Sequence, residues 1–225
     1  MPEWSFDFTS RIRKINKRPI KVEKQLREDT CDSFGVRHVL TLARYLDTDE
    51  EVMLKIRYDL DPKTYDIEDV EENREEVEQD FWNEIDGVNI VHEIGHGPGY
   101  IDHVSQPAGP RFPYPNGWVD FIVMSRVPGE NLEDIYRGLS RDQLESIREQ
   151  LAFIFEHMRQ NCAALGIQNP RFLQYDRQND KVYIVDFSSL CIIDPSHPSS
   201  KPITVNDAWV LEFGMWPKSH FEPLQ

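Results

Sequence analysis

Two side chains in this sequence have the type and the setting to handle a phosphate group. The stretch Lys181-Val182-Tyr183-Ile184-Val185-Asp186-Phe187 reads as a strand that ends in a carboxylate, after a turn at Asn179-Asp180. A carboxylate just past a buried strand can hold a divalent cation, because the strand fixes the oxygen and the loop leaves room for water and phosphate. The second is Lys55, inside the apolar run Val52–Tyr58. With Leu54 and Ile56 on one side of a strand, Met53 and Lys55 share the other. The ammonium is then either a snorkelling surface group or a phosphate ligand. A helix expected over residues 70–85 offers it a partner: Glu78 is placed inward beside Val77 and Phe81, with Glu75 as the second choice.

A third constellation points to different chemistry. His92-Glu93-Ile94-Gly95-His96 fits HExxH, and Gly99, Asp102 and Met124 fall where a longer zinc signature has its glycine, third ligand and Met-turn, with His103 adjacent to Asp102. On a helix, histidines at i and i+4 share one metal and the Glu serves as general base, which would make a zinc hydrolase. Against this, Gly97-Pro98-Gly99 stops the segment at once, and β-branched Val88, Ile90 and Val91 open it. The competing expectation is a short linker with histidines at a surface turn.

The elements that must position these groups are legible in outline. Residues 1–20 carry Arg11, Arg13, Lys14, Lys17 and Arg18 and read as a basic, solvated arm. Strands are expected at Val36–Tyr45 and Val52–Tyr58, and Asp32-Ser33-Phe34-Gly35 before them reads as an ordinary hairpin loop. A loop follows over Val104–Asn116, then a buried strand, Trp118–Val127, that stops at Pro128-Gly129 and suggests a hinge. Ser140 and Gln143 form a capping box for a long helix with Leu144, Ile147, Leu151, Ile154, Phe155, Met158 and Cys162 on its core face. A last helix is expected over Val205–Trp216. The expected segments are therefore an arm (1–20), a β-rich part with one helix (21–127) and a mainly helical part (128–225).

Composition narrows the function classes. The 225 residues carry a formal net charge of −15, which disfavours nucleic acid and anionic membranes as partners. No apolar run approaches the length of a membrane span, and the N-terminus lacks signal-peptide character. Three scattered cysteines, Cys31, Cys162 and Cys191, imply reduced thiols and a soluble, cytoplasmic or otherwise intracellular protein.

In order, the chain gives a strand lysine, a helix glutamate, an apolar strand entering a Pro-Gly hinge, a long helix, and a strand ending in Asp-Phe. This resembles the protein-kinase-like superfamily, in particular the aminoglycoside-phosphotransferase-like kinases common in fungi. Phe121–Leu132 and Phe172–Asp176 carry most of the likeness. The resemblance implies an α+β, bilobal protein-kinase-like fold, with an N-terminal antiparallel sheet plus one helix and a small, mainly helical C-terminal lobe. It further implies that Lys55 contacts the phosphates of ATP, that Glu78 pairs with Lys55, and that Asp186 holds Mg²⁺. Adenine would sit against Met124, Arg126 and Val127.

The same likeness exposes a departure. Active members place His-x-Asp, and an Asn five residues later, between the long helix and the metal-binding strand. Here that segment is Ala164-Leu165-Gly166-Ile167-Gln168-Asn169-Pro170-Arg171-Phe172. Asn169 stands near the position of the missing base, and an amide does not accept a proton at neutral pH. Arg171 stands near the metal-binding Asn, and a guanidinium does not ligate Mg²⁺. The expectation is a pseudokinase that retains nucleotide binding or acts as an interaction module with a protein partner. The alternatives are an active small-molecule or protein phosphotransferase that recruits another base, Asp176 being one candidate, and the zinc hydrolase.

Overall fold

A computed structural model describes residues 4–216. It divides into two compact units, one of residues 4–85 and 99–126, the other of residues 86–98 and 127–216. The tail of the expected last segment, residues 217–225, and the first three residues of the expected arm lie outside the described residues.

The first unit is built on a six-stranded antiparallel sheet in the order β1-β2-β3-β4-β6-β5. Its strands are β1 (Ile12–Ile15), β2 (Arg18–Cys31), β3 (Val36–Tyr45), β4 (Glu51–Asp59), β5 (Tyr100–Pro107) and β6 (Trp118–Ser125). Both faces of β4 are buried, because its alternation serves two partners. Val52, Leu54, Ile56 and Tyr58 enter one core with Val39, Ala43, Val119, Phe121 and Val123. The opposite face of the sheet, with Lys55 and Arg57, turns to the helix α1 (Val70–Glu93).

Residues 4–20 are not a solvated arm. Phe8 and Ile15 are fully buried in the first core, and β1 closes the sheet edge by pairing Ile12–Ile15 with Arg18–Lys21. The rings of Phe6 and Phe8 lie 4.8 Å apart, and Phe112 stands 5.7 Å from Tyr58. Two of the basic residues that suggested solvation lie over this cluster, the Arg11 guanidinium 4.1 Å from the Phe6 ring and that of Arg13 5.6 Å from the Phe112 ring, while Lys14 and Lys17 are exposed. Burying one such phenyl ring stabilises the fold by about 1.5–3 kcal/mol, enough to hold a short segment in place. The expected loop over Val104–Asn116 begins instead as the edge strand β5, whose half-exposed residues hid it.

Helix α1 runs through Asp86-Gly87 rather than stopping at Ile85. The glycine is needed there. A Cβ at Gly87 would lie 2.3 Å from Leu190 Cδ1 and 2.9 Å from Phe187 Cδ1, so these side chains pack onto bare helix backbone.

In the second unit, α3 (Arg141–Gln160) follows β7 (Glu130–Asn131) and the short α2 (Leu132–Ile135). Ser140 and Gln143 do form the reciprocal cap, at 3.2 and 3.0 Å. Two small sheets complete the unit: β8 (Ala163–Leu165) pairs with β11 (Leu190–Ile192), while β9 (Leu173–Asp176) lies between β10 (Lys181–Ile184) and β7. Cys162 is exposed rather than core, because α3 ends at Gln160 and Cys162 turns the chain at φ 61°. The expected last helix shrinks to α4 (Ala208–Leu211), and Gly214 at φ 65° prevents its continuation. Val210, Phe213 and Trp216 are nonetheless buried. Among the described residues no helix is long and apolar enough to cross a membrane.

Candidate functional site

The alternation of β4 places Lys55 on the helix-facing side of the sheet, 1% exposed, between Leu40 of β3 and Ile122 of β6. Its Nζ donates to Oε1 of Glu84, which is 2% exposed. Glu78 and Glu75 are both exposed, so the partner is Glu84 and the expectation of Glu78 is corrected. The reason is helical phase: Glu84 follows Phe81 by three and Val77 by seven, which puts it on the buried stripe.

Arg57, two residues on, shares the same carboxylate, with Nη1 3.7 Å from Glu84 Oε2. Its Nη2 donates to the carbonyl of Val77 at 3.1 Å, and its guanidinium lies 5.7 Å from the Phe81 ring. Opposite Arg57 across the sheet are His38 and Asp120. Burial pushes the Lys55 ammonium below the usual lysine range, and the Glu84 charge opposes that push. His38 is held well below its ordinary value by burial first and by the Arg57 and Lys55 charges second. The result is an ammonium fixed by a helix carboxylate in a dry setting, the arrangement that orients a lysine toward an anion.

Met124 is buried on β6 opposite Met53. Ser125 ends that strand, its N donating to Gly99 O at 2.7 Å and its Oγ accepting from Gly99 N at 2.7 Å. Arg126 is exposed and ion-paired with Glu51, and the buried Val127 opens the second unit.

In the second unit, Asp186 lies two residues past β10 and is 1% exposed. Its Oδ1 accepts from Ser188 N at 2.8 Å, which fixes the carboxylate against the following turn. The segment before β9 is tied down by amides. Asn169 Oδ1 accepts from Arg171 N at 3.0 Å and caps a 3-10 turn over Pro170–Phe172, while Gln168 Nε2 donates to Leu165 O at 2.6 Å. Asp176, the candidate substitute base, accepts from Gln178 N at 2.9 Å and Asn179 Nδ2 at 2.6 Å. Those hydrogen bonds, the one from Asn179 first, hold its carboxyl below the usual range and make it a poor proton acceptor.

The HExxH pattern does not lie on one helix. Helix α1 ends at Glu93, and Gly95 at φ 73° turns the chain before His96. Nδ1 of His96 sits 2.7 Å from Val182 O, whereas Nδ1 of His92 sits 3.4 Å from Gly97 O. The two imidazoles therefore serve separate carbonyls, and Glu93 faces His157 at 3.8 Å.

No protein-family model matches the chain, and no curated protein matches it. Solved structures do. The kinase PK-1 of Cydia pomonella granulovirus superposes with a TM-score of 0.50 at 16% identity, over 77% of this chain and 52% of that one. Vaccinia related kinase 3 superposes with a TM-score of 0.53 at 14% identity, over 84% of this chain and 53% of that one. The fold is protein-kinase-like. This chain spans about half the length of the kinases it matches. Lys55 on β4 and Glu84 on α1 form a strand-lysine and helix-glutamate ion pair, with the glutamate six residues later than expected.

Proposed function

We propose that this chain is a pseudokinase: a protein with the bilobal kinase arrangement that binds Mg·ATP and has lost efficient phosphotransfer. The observation that carries the reading is the buried Lys55–Glu84 pair on a kinase-like sheet and helix. Such a pair costs desolvation energy, and hydrophobic residues of similar volume would fill the space at no loss of stability. A phosphate-binding role explains its presence. Lys55 would hold nucleotide phosphates and Glu84 would orient it, while the backbone at Met124, Arg126 and Val127 would take adenine.

The residues fit one Mg²⁺ better than two. Asp186 is a fixed carboxylate past a strand end, suited to one cation shared with nucleotide oxygens. Arg171 cannot ligate a second. The loss of transfer rests on the segment 163–172, which holds neither carboxylate nor histidine, and on the commitment of Asn169 to its own turn. Fungal aminoglycoside-phosphotransferase-like kinases remain the group with the matching order of motifs. A protein partner is the natural reader of such a module.

The test is transfer of the γ-phosphate from radiolabelled ATP, measured as autophosphorylation and as ATP hydrolysis. The reading predicts no turnover above the Lys55→Ala background. Turnover that survives in Asp176→Asn would show a base elsewhere and overturn the pseudokinase reading. Turnover lost in Asp176→Asn would identify the active alternative.

A further inference from the structure

Glu84 meets two buried cations, and they approach different oxygens. Lys55 Nζ donates to Oε1, while Arg57 Nη1 lies 3.7 Å from Oε2. Among the described residues Oε2 accepts no hydrogen bond, so the Arg57 guanidinium is a charge standing beside an open acceptor. Arg57 is itself held from the helix. Its Nη2 donates to Val77 O at 3.1 Å, and its guanidinium lies 5.7 Å from the Phe81 ring. One side chain thus reaches α1 at Val77, Phe81 and Glu84, along one stripe of about two turns.

The residue type at this position needs a reason. Alternation in β4 puts position 57 on the helix-facing side with Lys55, and there Arg57 is 3% exposed. An apolar side chain would fill that place with no charge to desolvate. Asp120, opposite Arg57 on β6, takes both terminal nitrogens of Arg74, at 3.2 and 3.1 Å, and leaves Arg57 to the helix. A lysine would bring a charge without the planar fork that serves a carbonyl and a carboxylate together.

The reason lies in the two demands on Lys55. An ammonium that turns to a phosphate divides its charge between the phosphate and Oε1, and the phosphate repels the carboxylate at the same time. In a dry setting an undercompensated carboxylate opposes binding by about tenfold or more. A second cation at the other oxygen offsets this, and one tied to Val77 does so without displacing Glu84.

We propose that Arg57 is a positioning residue for phosphate binding: anchored on Val77 O, it holds and compensates the Glu84 carboxylate at its second oxygen while Lys55 engages the anion. That Lys55 meets a nucleotide phosphate rests on the pseudokinase reading; the coupling of Arg57 to Glu84 does not.

The experiment is a double-mutant cycle on the full chain. ATP affinity with Mg²⁺, by calorimetry, and urea stability are measured for the parent, Arg57→Met, Glu84→Gln and the pair. Arg57→Met should weaken ATP about tenfold in the parent but about threefold or less in Glu84→Gln, where no carboxylate remains to be compensated. Arg57→Lys keeps the buried charge and carries the same comparison if the methionine variant does not fold; it should weaken ATP about threefold in the parent and leave Glu84→Gln unchanged. Equal losses in the two backgrounds would show Arg57 acting through the fold at large and overturn the proposal, as would parent-like affinity in Arg57→Met. A parent that binds no ATP would refute the nucleotide reading instead, and the stability cycle then decides the coupling. It should show a smaller loss for Arg57→Met in Glu84→Gln than in the parent; additive losses would overturn the coupling.

Discussion

Replacing Glu84 by glutamine keeps the size of the side chain and removes its charge. Lys55 and Arg57 then lose the carboxylate they share, in surroundings where all three side chains are 1–3% exposed. Removing one partner of a buried pair costs about 3–5 kcal/mol, because the remaining charge stays desolvated. The glutamine oxygen can still accept from Lys55, so Glu84→Gln is expected near the low end, about 3 kcal/mol. Glu78→Gln changes the same group on the exposed side of the same helix and should stay within about 0.5 kcal/mol. Urea unfolding measures both, the midpoint moving at constant slope. The deficit of Glu84→Gln should shrink as pH rises towards about 8, where Lys55 of the parent itself loses its proton, and level off above that. Burial already lowers the Lys55 ammonium, and without Glu84 it deprotonates more readily, which relieves part of the buried charge. A Glu84→Gln protein within about 1 kcal/mol of the parent, or a Glu78→Gln protein equally damaged, would refute the assignment of the pair.

Three other outcomes follow from the packing and the titrating groups. His38 is held neutral when folded but titrates near 6.5 when unfolded, so its contribution is complete above that value and is lost as pH falls below it. Stability should drop by up to about 1.4 kcal/mol per pH unit in that window, and His38→Gln should flatten the slope in urea titrations run at several pH values. Gly87→Ala should destabilise by about 1–3 kcal/mol despite alanine's better helix propensity, because the added methyl meets Phe187 and Leu190; a stabilised variant would contradict that packing. Phe8→Ala should cost about 3–5 kcal/mol by thermal or chemical unfolding, whereas a solvated arm would lose almost nothing.

The sequence made the sheet face of Lys55 legible because alternation in β4 is strict and apolar neighbours flank the lysine. The long helix α3 was equally readable from its capping box and its stripe. Glu84 was missed for a specific reason. The helix expected over residues 70–85 leaves Glu84 in its last turn, with too little periodic sequence beyond it to fix its phase. Phase counted from Val77 and Phe81 through Val88 would have brought Glu84 inward. The N-terminal strand was hidden by its arginines, whose stems and guanidinium groups cover aromatic rings rather than reaching into water. Nothing local marks Gly87 as a contact point for Phe187, since that need arises from residues a hundred positions later. The lack of a carboxylate or histidine in residues 163–172, by contrast, is fully legible in the sequence, because it is a matter of composition and not of folding.

The central claim is a kinase-like nucleotide site built on Lys55. Calorimetric titration of the purified chain with ATP, with and without Mg²⁺ and alongside Lys55→Ala, tests it most directly. The account predicts binding that Mg²⁺ strengthens and that Lys55→Ala weakens at least about tenfold, as for loss of a charge-assisted contact to phosphate. No heat of binding at millimolar nucleotide, or an affinity that ignores both Mg²⁺ and Lys55→Ala, would contradict it.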